Sequence, residues 1–331
     1  MLKIGVLGAG HLGKIHIKCL QLAKSKYDLI GFYDPADHNA QQAVEQYGLR
    51  RYDNLEALVD AVDVVDIVTP TSTHFELASY AIRKGKHLFI EKPLTRTVDE
   101  AELLMKLSNN YGVKVQVGHV ERFNPVLIAL QGMPLKPMFI EAHRLATFNP
   151  RGTDVSVVLD LMIHDLDIIL SMVKSPVREV RASGVTVVSN TPDISNVRIE
   201  FNNGCVANLT ASRISMKQMR KLRLFQKDAY ISLDFLEKQA QVIRLFEPDG
   251  ADIPEQGQSL ELETPNGKKI IHMDMPAIEP TNAIKMELES LADSILEDTK
   301  PTVSIEDGFK ALELAYQILA DISKREQIFQ K

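Results

Sequence analysis

Asp160 and His164 stand four residues apart in a stretch of helical texture that runs from Asp154 to Val173. Residues at that spacing share one face of a helix. Histidine is the natural general acid or base near neutral pH, and a neighbouring carboxylate orients it and raises its pKa. Lys92 follows the apolar run His87 to Ile90 and precedes Pro93. At a strand end beside a bound ligand it would donate a hydrogen bond to a substrate oxygen, and a cationic neighbour would lower its pKa. Taken singly, His164 beside Leu161, Met162 and Ile163 reads more readily as a satisfied core residue, and Lys92 as a surface lysine. A bound ligand that carries out redox chemistry would give both a task.

Such a ligand is called for at the start of the chain. Gly8-Ala9-Gly10-His11-Leu12-Gly13 follows the apolar run Ile4 to Leu7 and precedes residues with helical apolar spacing. Gly-x-Gly-x-x-Gly between a strand and a helix is the dinucleotide context. Gly8 permits the tight turn, Gly10 lets backbone approach a pyrophosphate, and Gly13 lets the helix pack close, its N-terminus facing the phosphates. The next strand, Leu29 to Tyr33, ends in Asp34, placed to receive the adenosine ribose hydroxyls. Pro35, Ala36, Asp37 and His38 follow, with no Arg or Lys among them. A 2′-phosphate would meet a carboxylate with no adjacent cation, so NAD is expected over NADP.

Strand-like and helical patterns alternate through the first third. Ala40 to Tyr47 reads as a helix stopped by Gly48, and Asp53-Asn54 can cap the helix carrying Leu55, Leu58 and Val59. Val62 to Val68 reads as a parallel strand buried on both faces. Helices from about His74 to Lys84 and Asp99 to Asn109, and strands His87 to Ile90 and Val113 to Val117, follow. The pattern predicts five or six β-α units in a doubly wound parallel sheet, with a ligand crevice at the carboxyl ends of its strands. Gly13, Asp34, Thr69-Pro70-Thr71, Glu91-Lys92-Pro93 and Gly118-His119 all fall at such ends.

From about Glu121 the texture becomes that of half-buried strands: Met138 to Ala146, Val180 to Val188, Asn196 to Phe201, Val206 to Ser212, Arg223 to Gln226, Tyr230 to Asp234 and Val242 to Phe246. Glu261 to Glu263 and Lys269 to Met273 flank the hairpin signal Pro265-Asn266-Gly267, and Glu247 to Gln258 reads as a loop. Helices from about Asn282 to Asp298 and Ile305 to Ser323 close the chain. An α/β fold in two domains is expected: residues 1–120 bind the cofactor, and 121–331 form an α+β domain on an open, mainly antiparallel sheet. One face of that sheet must meet water or another subunit, which predicts a homodimer or homotetramer.

The 331 residues suffice for two cores, and 45% apolar with 25% charged residues is ordinary for a soluble protein. A net charge of −6 argues against nucleic-acid binding. The basic cluster Lys217, Arg220, Lys221 and Arg223 reads as a solvated strand face, and Cys19 and Cys205 as buried free thiols. The most apolar long window, Val157 to Val173, is broken by Asp160, His164, Asp165 and Asp167. No leader pattern precedes the first strand, so a cytoplasmic protein without a membrane span is expected.

The glycine turn, Glu91-Lys92-Pro93 and Asp160-x-x-x-His164, in that order, resemble the Gfo/Idh/MocA family of sugar and cyclitol oxidoreductases over the whole chain. The resemblance implies a Rossmann domain and an open-sheet domain with the site between them. It makes Lys92, Asp160 and His164 the catalytic residues and requires no metal. It sets Gly8, Gly10, His11, Leu12, Gly13, Asp34, Thr69, Pro70, Thr71, His74, Glu91 and Lys92 along NAD. Ser156-Val157-Val158-Leu159 stands where many members carry a Gly-Gly pair, which leaves the pocket shape open. Two strings, Gly118-His119-Val120-Glu121-Arg122-Phe123-Asn124-Pro125 and Asp160 to Asp167, resemble those of members that oxidise the C3 hydroxyl of UDP-N-acetylglucosamine. A nucleotide sugar is then the expected substrate, with His119, Arg122, Asn124 and Arg144 as its contacts. The alternatives are a dehydrogenase of a free sugar or inositol, and a catalytically silent NAD-binding regulator; the intact Lys92, Asp160 and His164 weigh against the last.

Overall fold

The computed structural model describes residues 1–149, 155–248, 253–254, 257–265 and 267–329. Asp154, Asn266 and several residues of the expected loop between Glu247 and Gln258 lie outside them. The chain divides into two compact units, residues 1–123 with 281–313 and residues 124–280 with 314–331.

In the first unit the elements alternate as the apolar runs predict. They are β1 (Leu2–Leu7), α1 (His11–Leu22), β2 (Tyr27–Tyr33), α2 (Asp37–Tyr47), α3 (Leu55–Ala61), β3 (Val64–Ile67), α4 (His74–Arg83), β4 (His87–Glu91), α5 (Val98–Tyr111) and β5 (Val115–Gly118). The five strands pair in the order β2-β1-β3-β4-β5, every neighbour parallel. Local chemistry sets the helix ends. Asn54 accepts the Ala57 N–H at 2.8 Å, and Gly48 ends α2 in the left-handed region at φ 62°. Thr97, not Asp99, caps α5, in a reciprocal box with Glu100.

The second unit holds α6 (Pro125–Ile128), β6 (Phe139–Leu145) and α7 (Ile163–Met172), the last entered through a π-helical turn, Val158–Met162. Strands β7 (Val177–Val185), β8 (Ile194–Phe201), β9 (Val206–Ser212), β10 (Met219–Phe225), β11 (Ala229–Asp234), β12 (Gln239–Phe246), β13 (Gln258–Thr264) and β14 (Gly267–Asp274) follow. One nine-stranded sheet results, ordered β13-β14-β12-β11-β10-β6-β9-β8-β7, antiparallel except where β6 meets β9. Its core joins alternate strand residues such as Ile199, Phe201, Leu222 and Ile231 to Met162, Leu166 and Ile318. β7 stops three residues short of the expected Val188 because Asp193 draws the backbone aside. Its carboxylate accepts the N–H groups of Val187, Val188 and Ser189 at 2.8, 2.7 and 3.1 Å.

Helices α8 (Ala283–Leu296) and α9 (Ile305–Phe329) close the chain. The main division, after Phe123, lies close to the expected residue 120, but residues 281–313, expected in the second domain, belong to the first unit. Leu288, Leu291 and Ala292 of α8 belong to the core that holds Ile17, Leu20 and Phe89 of the first unit. A helix whose apolar face is needed to cover the parallel sheet folds with that sheet, whatever its place in sequence. The basic cluster lies on strand β10 and before it, with Lys221 paired to Asp234 and Arg223 to Glu141. Cys19 and Cys205 are buried free thiols, and burial pushes the Cys205 thiol up to about 11.

Candidate active site

Between β1 and α1 each glycine does something different. Gly8 has φ 98°, and a Cβ there would lie 2.6 Å from the Val68 carbonyl oxygen. A Cβ on Gly13 would lie 2.0 Å from the Gly8 carbonyl oxygen, so only hydrogen lets α1 start this close to the turn. A Cβ on Gly10 would meet nothing within 4 Å. Gly10 is also the N-cap of α1, which has no side-chain cap and no acidic residue in its first turn. A bare helix N-terminus with open space beside it fits a pyrophosphate. His11 and Leu12 are exposed beside it.

Asp34 is buried at the end of β2. Its Oδ2 accepts the Ala9 N–H at 2.7 Å and its Oδ1 the Ala36 N–H at 2.8 Å, so the carboxylate also braces the glycine turn. The expectation of no cation nearby needs correction. A parallel bridge between Phe32 and Arg51 brings the Arg51 guanidinium within 3.0 Å of the Asp34 carbonyl oxygen, and it pairs with Asp37 at 2.7 Å. Seventeen residues separate Arg51 from Asp34, which hides it from any local reading.

Thr69, Pro70 and Thr71 form the corner after β3 and are partly exposed or exposed. His74 is buried, with Nε2 2.9 Å from the Thr69 carbonyl oxygen and Nδ1 3.0 Å from that of Pro93. It therefore ties this corner to the one that carries Lys92. Lys92 is half-buried and follows directly on β4. Glu91 turns its carboxylate inward, and Oε2 accepts the Lys92 N–H at 3.0 Å. Gly118 makes the room, since a Cβ there would stand 2.8 Å from Glu91 Oε1.

Three residues join this corner that spacing in the sequence does not single out: His16 of α1, Asp66 of β3 and Glu287 of α8. All are 0% exposed. His16 Nδ1 is 3.0 Å from Asp66 Oδ2, and Nε2 is 3.2 Å from Glu91 Oε1. Burial by itself would lower the His16 pKa, but the Asp66 and Glu91 carboxylates hold it well above the usual value. Burial works against Glu91 as well, yet His16 keeps its carboxyl below the ordinary range. Burial, reinforced by repulsion from Glu91, pushes Glu287 well above that range. One signal was present in the sequence. Of the two aspartates in Val62 to Val68, Asp66 lies among Val64, Val65, Ile67 and Val68, and an aspartate buried there demands a partner.

In the second unit Asp160 sits in the π turn and His164 in the first turn of α7, both half-buried. Single π turns recur at functional positions. Arg144 of β6 is buried and makes a two-pronged pair with Asp165: Nε to Oδ2 at 2.9 Å and Nη2 to Oδ1 at 2.8 Å. Its guanidinium is thus engaged within its own unit. Asn124 caps α6 by accepting the Val126 N–H at 3.1 Å. His119 is buried and Arg122 half-buried, both in the turn after β5.

A parallel sheet with this glycine turn, an aspartate closing its second strand and a lysine closing its fourth defines an NAD-binding oxidoreductase. Residues 2–119 match the family model "Oxidoreductase family, NAD-binding Rossmann fold", and residues 140–231 match the Gfo/Idh/MocA C-terminal domain. The chain belongs to the Gfo/Idh/MocA oxidoreductase family. Over 236 residues, 71% of this chain and 74% of the relative, it is 39% identical to a UDP-N-acetylglucosamine 3-dehydrogenase of Acidithiobacillus ferrooxidans. A solved structure of the A. ferrooxidans enzyme superposes with a TM-score of 0.86, 31% identity and 97% coverage of both chains. A scyllo-inositol 2-dehydrogenase of Bacillus subtilis is 30% identical over 64% of this chain and 68% of its own. The chain is an NAD-binding oxidoreductase.

Proposed function

We propose that this enzyme oxidises the C3 hydroxyl of UDP-N-acetylglucosamine to the ketone. The observation that carries the reading is the 39% identity to a dehydrogenase named for that substrate. When bound, NAD supplies the hydride acceptor. The chain supplies the proton chemistry. Neutral His164 takes the hydroxyl proton, Asp160 orients the imidazole and stabilises its charged form, and the Lys92 ammonium donates to the same oxygen. His119, Arg122 and Asn124 hold the nucleotide sugar, and Arg144 shapes that site through Asp165. The same reading takes the enzyme to be cytoplasmic. It also makes the enzyme a homo-oligomer through the second sheet, whose strands expose Val185, Leu245, Leu260 and Leu262. Sedimentation equilibrium tests that point, and a monomer would refute it. No described helix is long and apolar enough to cross a membrane.

The test is steady-state turnover and thermal shift with NAD present, across UDP-N-acetylglucosamine, UDP, free N-acetylglucosamine and inositols. A ligand that binds only the folded state raises Tm by mass action. The nucleotide sugar should be turned over with the highest kcat/KM, and UDP should compete. Faster oxidation of an inositol, with UDP inert, would replace this reading by the one the B. subtilis relative favours.

A further inference from the structure

We propose that His16, Asp66, Glu91 and Glu287 form a buried proton-holding site that positions Lys92, with His16 as imidazolium and Glu287 as a neutral acid. Three carboxylates and one imidazole lie together where only Glu91 reaches solvent, at 8% exposure. Buried charge of one sign is expensive unless paired or neutralised. Each nitrogen of His16 faces a carboxylate oxygen, at 3.0 and 3.2 Å, and satisfying both needs a proton on each. Glu287 differs. Both its oxygens are buried with no hydrogen-bond donor, although one lies within 4.8 Å of ring and carboxylate atoms of His16 and Glu91. A carboxylate left so would carry the full desolvation cost, whereas a carboxylic acid brings its own donor beside the Glu91 carboxylate.

The consequence for the reaction runs through Glu91. Its Oε1 is held by His16 and its Oε2 accepts the Lys92 N–H, so the balance of protons behind it fixes the peptide from which Lys92 extends. Loss of the Glu287 proton would add a third anion and drive Glu91 away from the cluster, moving that peptide. The other titratable groups facing the cluster are Cys19 of α1, Tyr27 of β2, whose hydroxyl donates to the Leu288 carbonyl, and Lys92 itself. This inference rests on the reading of Lys92 as catalytic for its kinetic part only.

Glu287→Gln replaces the acid by a neutral isostere, and the whole enzyme is the sample. An infrared band of a protonated carboxyl should be present in the wild type near neutral pH and absent from Glu287→Gln. The variant should fold, bind NAD within about twofold of wild type, and show the alkaline fall of kcat, about tenfold per pH unit for one proton, only at higher pH, where Lys92 itself deprotonates. An unchanged infrared spectrum in Glu287→Gln would overturn the proposal. So would an alkaline fall of kcat identical in the two proteins, or a stoichiometric divalent metal in the purified wild type, since a cation would then balance the carboxylates. Lys92→Ala separates the two readings. If it keeps near-normal kcat, the catalytic assignment fails, while the infrared and metal measurements still decide the state of the cluster. Gly118→Ala gives an independent check: its Cβ would press on Glu91 Oε1 at 2.8 Å, so it should lower kcat at least tenfold with NAD affinity little changed. Wild-type kcat there would contradict positioning through Glu91.

Discussion

Alanine at Gly13 and alanine at Gly10 should fail in opposite ways. At Gly13 the new methyl would lie 2.0 Å from the Gly8 carbonyl oxygen and 2.8 Å from its carbon, and ordinary contact begins at 3.4 Å. The turn and α1 must separate by about 1.4 Å, and the obstacle is backbone, not the end of a flexible side chain. His16, Ile17, Cys19 and Leu20 are buried on the same helix, so the shift would be felt through the core. Overpacking of this kind costs about 1–3 kcal/mol. Rigid neighbours favour the upper end, and about 3 kcal/mol lowers Tm by roughly 6–12 °C in a domain of this size class. Gly10 has φ −67° and ψ −163°, which alanine adopts freely, and its methyl would meet nothing. The cofactor-free Gly10→Ala protein should therefore melt at or slightly above the wild-type temperature. Its methyl occupies the side from which the pyrophosphate must approach, so NAD should bind at least tenfold more weakly, about 1.4 kcal/mol. Calorimetric melting without cofactor and titration with NAD read the two effects separately. An unchanged Tm for Gly13→Ala, or wild-type NAD affinity for Gly10→Ala, would show that the turn does not work as described.

Other outcomes follow from the same geometry. Asp34→Ala should narrow the preference for NAD over NADP in competitive titrations, and Arg51→Ala should weaken whatever NADP binding exists; tighter NADP binding in Arg51→Ala would refute the second point. His164→Ala and Lys92→Ala should each lower kcat by about 10²–10⁴ with NAD affinity nearly intact, and near-normal turnover in either would remove it from the mechanism. The proposed mechanism has both act on one oxygen, so their double variant should lose less than the product of the single losses. Arg144→Ala removes the two-pronged partner of buried Asp165 and should destabilise by about 3–5 kcal/mol in urea melts, with part of it recovered in Arg144→Ala/Asp165→Ala. His16 and Glu287, both held above their unfolded values, favour the folded state at low pH and lose that contribution as pH rises. Tm should therefore fall on the alkaline side, and a Tm that rises there would contradict both directions.

Sequence alone determined what depends on neighbours in the chain. The glycine turn, Asp34 after its strand, the Asn54 cap, the Gly48 stop and most strand positions follow from backbone sterics, alternation and capping, which act over a few residues. Composition and motif order were enough to identify the class of enzyme. Tertiary structure decided what depends on residues far apart. It returned α8 to the first unit because the parallel sheet needed its apolar face, so residues 281–313 join the first unit although its main boundary, after Phe123, lies close to the expected residue 120. It carried Arg51 to Asp34 across a strand bridge. It also assembled His16, Asp66, Glu91 and Glu287, with His16 separated from Asp66 by 50 residues and from Glu91 by 75. Beyond Asp66 in its apolar run, no local pattern marks such a group, because a buried charge is tolerable only beside partners that the fold alone brings within hydrogen-bonding distance.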